Sequence, residues 1–287
     1  MGSPSLAEVA AAPVNKRPIP RTGELLPVTG LGTYQSFDVG NGAGVRSSQK
    51  EVLRLFVQHG GALVDSSPMY GTSESVVGDL AADLGITGQL FMATKVWTSG
   101  RESGIRQMEE SMRRMKVARM DLMQIHNLVD WRTHLKTLQD WKSSERIRYL
   151  GITHYHSGAY GDLERLMQTG KFDFVQFNYS MAEREAEERI LPVAQETGTA
   201  VIVNRPFAQA SLFSRVRGKE LPSWSHEIDC NSWGQFFLKY ILGHPAVTCV
   251  IPATSKPHHL VDNMGAGMGK LPDAAARKRM ADYIDRL

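Results

Sequence analysis

Short apolar runs alternate with amphipathic stretches along most of this chain. The runs lie at 62–65 (ALVD), 90–95 (LFMATK), 121–126 (DLMQIH), 149–153 (YLGIT), 173–178 (DFVQFN), 200–204 (AVIVN) and 248–252 (TCVIP). Near-continuous apolarity over so few residues is the pattern of parallel strands covered on both faces. Between them, Val76, Val77, Leu80 and Leu84 recur at helical spacing, as do Ile105, Met108, Met112 and Met115, and Tyr160, Leu163, Leu166 and Met167. Each set predicts one apolar helix face, and the methionines read as core rather than as a sticky surface. Upstream, at 17–35, Thr22-Gly23 separates two short apolar runs. That predicts a small hairpin and then a first strand near 27–32, bringing the strands to eight.

The run starts from 62 to 200 are separated by 28, 31, 28, 24 and 27 residues, and the last step is 48. A βα unit of nearly constant length, repeated in this way, predicts an α/β fold: a single-domain (β/α)8 TIM barrel with an N-terminal β-hairpin. A doubly wound sheet is the alternative, but it wants a glycine fingerprint after an early strand. The glycines at 40–44 (GNGAG) have the wrong spacing and read as a flexible loop. The enlarged connection at 205–229 carries Pro206, Pro222 and Trp224, and a long loop on a barrel is usually functional.

Composition refines this picture. At about 150 residues per domain, 287 residues suggest two domains. The strand spacing assigns 17–287 to one barrel instead. The small-residue-rich segment 1–16 reads as a flexible leader, either an expression tag or what remains of a processed signal peptide. A net charge of +3 with no long basic run argues against a nucleic-acid partner. No apolar stretch reaches the roughly 20 residues of a membrane span. Cys230 and Cys249 cannot build a disulfide framework or a four-cysteine zinc site, and read as buried thiols. His154 and His156 lack a third ligand, so no metal site is expected.

In a barrel, chemistry sits at the carboxyl ends of the strands. Asp65, Lys95 and His126 end three adjacent expected strands, and Tyr70 follows Asp65 by five residues. Each alone has an ordinary reading. Asp65, Ser66 or Ser67 can cap a helix, a lysine after an apolar run is commonly solvated, and a histidine beside Asn127 is commonly structural. Their shared end is what marks them as candidates.

The motifs VDSSPMYG (64–71), ATKVW (93–97), MQIHN (123–127), GIT (151–153), VQFNYS (175–180) and IPATSKPHHLVDN (251–263) occur in this order after GLGTY (30–34). Together they resemble the aldo-keto reductase superfamily over nearly the whole chain, from about 17 to 287. The resemblance implies a barrel that binds a nicotinamide cofactor and reduces carbonyls. It implies a catalytic tetrad at Asp65, Tyr70, Lys95 and His126, without substitution. Tyr70 is then the proton donor, with an ordinary pKa near 10 that a neighbouring cation lowers. Lys95 is that cation, Asp65 its anionic partner, and His126 orients and polarises the carbonyl.

By the same resemblance, Thr153, His154 and Gln176 hold the nicotinamide carboxamide, where the family often has Ser-Asn at the first two. Thr33, Tyr34 and Asp65 lie beside the cofactor. Asn204 stands where many members stack a tyrosine or tryptophan on the ring, and Arg205, Pro206 and Phe207 follow it. Thr254, Ser255 and Lys256, at a helix start, suit the adenosine 2′-phosphate, while Asp262 and Asn263 match adenine contacts. Many members carry Lys at Ala253 and Arg at His259. NADPH is the expected cofactor, with NADH as the alternative. Tyr34, Met69, Trp97 and Asn127 are expected at the substrate mouth with Trp224 above it, which suits medium-sized hydrophobic aldehydes or ketones. Two other functions are weighed: a nicotinamide-binding regulatory subunit with little turnover, and a lyase using Lys95 as a Schiff-base nucleophile. A monomer in the cytoplasm is the default expectation, with export to the periplasm as the alternative location.

Overall fold

The computed structural model describes residues 13–40 and 42–287. Most of the leader expected at 1–16 therefore lies outside the described residues. Its last part does not behave as a leader. Val14 is buried and bridges Met268, Asn15 Nδ2 donates to the Gly267 and Gly269 carbonyls at 2.9 Å, and Lys16 is already in a strand.

The expected hairpin is formed by β1 (Lys16–Pro18) and β2 (Leu25–Pro27), paired antiparallel with Arg17 opposite Leu26. Eight parallel strands follow, each bonded to the next. They are β3 (Leu31–Gly32), β4 (Leu63–Asp65), β5 (Phe91–Val96), β6 (Met120–His126), β7 (Ile147–Thr153), β8 (Phe174–Asn178), β9 (Ala200–Asn204) and β10 (Val247–Val250). Bridges from Thr29 to Val250 and from Gly32 to Ala253 bring the last strand back to the first, so the sheet closes as the strand spacing predicts. The first barrel strand is shorter than the expected 27–32, because Pro27 belongs to the hairpin.

The principal helices are α1 (Ser47–Gln58), α2 (Ser73–Asp83), α3 (Arg101–Met115), α4 (Trp131–Ser143), α5 (Tyr160–Gln168), α6 (Ile190–Glu196), α7 (Ser211–Arg215), α8 (Trp233–Leu242), α9 (Pro257–Ala266) and α10 (Ala274–Asp285). The methionine stripe behaves as core: Met108, Met112 and Met115 are buried on α3. The glycines at 40–44 are not an open loop throughout, since a 3₁₀ turn (Ala43–Arg46) leads from them straight into α1. No helix among the described residues is long and apolar enough to cross a membrane. Both cysteines are free and buried, as expected.

Strand side chains alternate between two cores, because successive residues point to opposite faces. One core lies between sheet and helices. The other fills the lower barrel with Leu63, Phe91, Ala93, Leu122, Tyr149, Phe174, Ala200, Ile202 and Cys249, and the hairpin plugs its floor with Ile19 and Leu26. Following the same parity up each strand, the inward series turns polar. Leu63 gives way to Asp65, Ala93 to Lys95, Leu122 to Gln124 and His126, Phe174 to Gln176 and Asn178, and Ile202 to Asn204. Register keeps these polar tops level: Gly32 pairs with Asp65, Lys95 with Gln124, His126 with Thr153, and Thr153 with Gln176. The site is thus the polar upper layer of a barrel whose lower layers are hydrocarbon.

Candidate active site

Lys95 sits at the centre of this layer, fully buried. Its Nζ donates to Asp65 Oδ2 at 2.6 Å and to the Ser66 carbonyl at 2.7 Å, and lies 5.0 Å from the centroid of the Tyr70 ring. Burial alone would lower the pKa of the ammonium. Attraction from Asp65, itself only 2% exposed, and from the Tyr70 phenol oxygen, with the hydrogen bonds to both, together outweigh that and hold the Lys95 pKa above its ordinary value. The other carboxylate oxygen, Oδ1, accepts from Gln124 Nε2 at 2.9 Å and Gln176 Nε2 at 3.0 Å, so the buried charge is solvated by fixed dipoles.

Tyr70 follows a turn in which its own N–H donates to the Ser67 carbonyl. From the sequence, Lys95 is expected to lower the phenol pKa. The net direction is upward, because removing the phenol from water outweighs the pull of the Lys95 charge. Tyr70 therefore keeps its phenolic proton at neutral pH. The His126 ring lies edge-on to Tyr70, with 6.0 Å between centroids, and its Nδ1 is 3.1 Å from Ser67 Oγ. Burial, then the charges of Lys95 and His154, hold its pKa down to about 2, so it is a neutral imidazole.

A second row continues from Asp65. Gln176 Nε2 also donates to Gln124 Oε1 at 3.2 Å, and Gln176 Oε1 accepts from Thr153 Oγ1 at 3.1 Å and Asn204 Nδ2 at 3.3 Å. Above both rows opens a cavity of about 1030 Å³. Its walls contain Thr33, Tyr34, Asp65, Thr153, Gln176, Asn204, Arg205, Pro206, Phe207, Thr254, Ser255, Lys256 and His259 from the expected cofactor contacts. They also contain Met69, Tyr70, Trp97, His126 and Asn127, with Tyr34, Met69 and Trp97 exposed at the mouth. The cavity extends to the start of α9, where Pro257 occupies the first turn and the Lys256 N–H is turned back onto Thr254 Oγ1 at 3.0 Å. Helix starts of this kind favour anions. Two amide oxygens of the wall, Asn127 Oδ1 and Asn204 Oδ1, are buried without a partner among the described residues. Such acceptors fit a ligand that brings N–H or O–H groups, as a nicotinamide carboxamide does.

The Aldo/keto reductase family model matches residues 29–279. The chain belongs to the aldo/keto reductase family. Among curated relatives, it is 26% identical to methylglyoxal reductase YeaE of Escherichia coli, over 81% of this chain and 83% of that protein. It is also 26% identical to aflatoxin B1 aldehyde reductase member 2 of Rattus norvegicus, over 82% of this chain and 67% of that one. A solved aldo/keto reductase of Klebsiella pneumoniae, in complex with NADP and acetate, has the same fold. Its TM-score is 0.78 at 22% identity, covering 91% of this chain and 93% of that one.

Within this aldo/keto reductase, several expected contacts are placed elsewhere. Trp224 does not cover the mouth. It packs on Phe236 of α8 and Tyr283 of α10, with centroids at 5.8 and 6.1 Å, under the Arg279 guanidinium. Only the start of the enlarged connection meets the cavity, and there Arg205, Ala208, Gln209 and Ala210 all have positive φ. Asp262 and Asn263 are not in the cavity wall; Asp262 accepts from Ser232 Oγ at 2.7 Å and Gln235 Nε2 at 3.0 Å. His154 also stands back from the wall. Its carbonyl accepts from Asn204 Nδ2 at 2.9 Å, and its ring stacks on Tyr155, which lines the cavity in its place with Arg205 4.6 Å over its ring. Sequence reasoning missed Tyr155, Gln124 and Ser67 as parts of the site. For Gln124 the signal was present, since it lies two residues before His126 and shares its inward face.

Proposed function

We propose that this chain reduces small aldehydes and ketones to alcohols with NADPH, Tyr70 giving the proton. The observation that carries the reading is the fully buried Lys95–Asp65 pair beneath the Tyr70 ring, beside a neutral histidine, on the floor of one cavity. When bound, the nicotinamide cofactor supplies the hydride. Thr153, Gln176 and Asn204 hold its carboxamide, and Ser255, Lys256 and His259 meet its 2′-phosphate.

His126 donates a hydrogen bond to the carbonyl oxygen and polarises it. Tyr70 passes its phenolic proton to that oxygen as the C–H bond forms, leaving a phenolate beside the Lys95 ammonium. That cation is worth most here, in a site without bulk water, and Asp65 keeps it charged. Tyr34, Met69 and Trp97 give the mouth an apolar, aromatic rim suited to a hydrophobic substituent on the carbonyl.

The test is NADPH and NADH oxidation measured side by side with a panel of aldehydes, ketones, quinones and methylglyoxal. Turnover with NADPH favoured over NADH is expected. Cofactor binding without turnover on any carbonyl would instead identify a regulatory subunit, and a tenfold preference for NADH would overturn the cofactor choice.

A further inference from the structure

His126 can polarise a carbonyl oxygen only if the ring nitrogen facing the cavity carries the proton. A neutral imidazole has one N–H, and the hydrogen bond at its other nitrogen decides where that N–H is. Here the other nitrogen, Nδ1, faces Ser67 Oγ at 3.1 Å, and Ser67 is fully buried.

The donor count around Ser67 Oγ settles the direction of that bond. The Met69 N–H already donates to this oxygen, at 3.4 Å. Were His126 protonated at Nδ1, it would donate to the same oxygen, and the Ser67 hydroxyl proton would be left buried with no acceptor among the described residues. With Nδ1 unprotonated, Ser67 accepts from Met69 and donates to His126, and every group is satisfied. His126 Nε2 then carries the proton and is left for the cavity that the ring lines.

We propose that Ser67 is a positioning residue that holds His126 in its Nε2–H tautomer, the form that can donate to a carbonyl oxygen. This rests on the reading of His126 as the group that meets the substrate. Ser67 acts without touching substrate: its backbone carbonyl closes the turn to Tyr70 at 3.0 Å while its side chain orients His126. One residue thus sets both donors on the carbonyl.

The experiment is nitrogen NMR on protein labelled with ¹⁵N-histidine, the His126 ring being assigned by its loss in His126→Asn. In the unsubstituted protein the proton is expected on Nε2, with Nδ1 bare. Ser67→Ala should give a mixture of tautomers and lower kcat about tenfold, the scale of one lost hydrogen bond. NADPH affinity, read by fluorescence titration, should be unchanged. Ser67→Cys keeps the shape with a slightly larger atom but donates weakly, so it should resemble Ser67→Ala in both tautomer and kcat. A proton on Nδ1 in the unsubstituted protein overturns the proposal. So does full rescue of kcat by cysteine, which would make the effect one of packing. The spectrum needs no turnover. A protein inactive on every carbonyl would sink the reductase reading, while the tautomer would still be decided by its own signals.

Discussion

At the scale of single residues, the proposed reaction divides its work between Tyr70 and Lys95, and their substitutions should fail differently. Tyr70→Phe removes the transferable proton and little else. Carbonyl reduction should fall by about 100-fold or more, the usual worth of a general acid, with NADPH affinity retained in a fluorescence titration. Full turnover would remove Tyr70 as donor. Lys95→Met leaves the buried Asp65 carboxyl group without its cation. Such a change costs about 3–5 kcal/mol, so this variant should lose stability as well as rate. Adding Asp65→Asn should restore part of the stability and none of the rate. Urea unfolding of the three variants checks this, and a Lys95→Met protein as stable as the parent would show that the pair is not electrostatically coupled. The four residues proposed to react could be singled out in the sequence because each ends, or closely follows, a recognisable strand. Ser67 could not: a serine after a strand looks like a cap until the histidine that it faces, 59 positions away, is in view.

Elements meet at distances that side-chain patterning reports poorly. The apolar spacing of Val76, Val77 and Leu80 predicts α2, and that of Met108, Met112 and Met115 predicts α3, but neither shows how closely the two approach. Gly78 sets that approach: a Cβ there would lie 2.1 Å from the Arg114 carbonyl oxygen at the end of α3. Backbone cannot yield as a flexible side chain can, so Gly78→Ala must push the helices apart. Overpacking of this kind costs about 1–3 kcal/mol, even though alanine favours an isolated helix by about 1 kcal/mol. A lowered melting temperature is expected, and an unchanged or raised one would mean that α2 shifts without cost. Trp224 shows the same limit. Its sequence neighbourhood, a long proline-flanked connection, suggested a lid. Its partners, Phe236 and Tyr283, come from helices later in the chain that no local pattern connects to it.

For the molecule as a whole, strand spacing made the barrel legible, since one βα length repeats around a closed ring. The cost of closing that ring over a polar layer is a set of dehydrated titratable groups, and they predict acid sensitivity. His126 is held down to about 2, and the half-buried His244 to about 4, in each case by burial first. Both imidazoles titrate near 6.5 when unfolded. Below that pH the unfolded chain binds protons that the folded chain refuses, so stability is full above about 6.5 and declines as pH falls. For His126 the loss by pH 5 is about 2 kcal/mol, at 1.36 kcal/mol per pH unit. His244 adds less because water screens it. Glu74 works in the opposite sense, as burial raises its carboxyl above the ordinary range and the fold gains as it is protonated. The histidine contribution is therefore the difference between the protein and its His126→Asn variant, each unfolded in urea at pH 7.5 and pH 5. The variant should lose less stability than the parent across that interval. Equal losses would mean that His126 takes up its proton in the folded protein, and it would then meet the carbonyl as a cation.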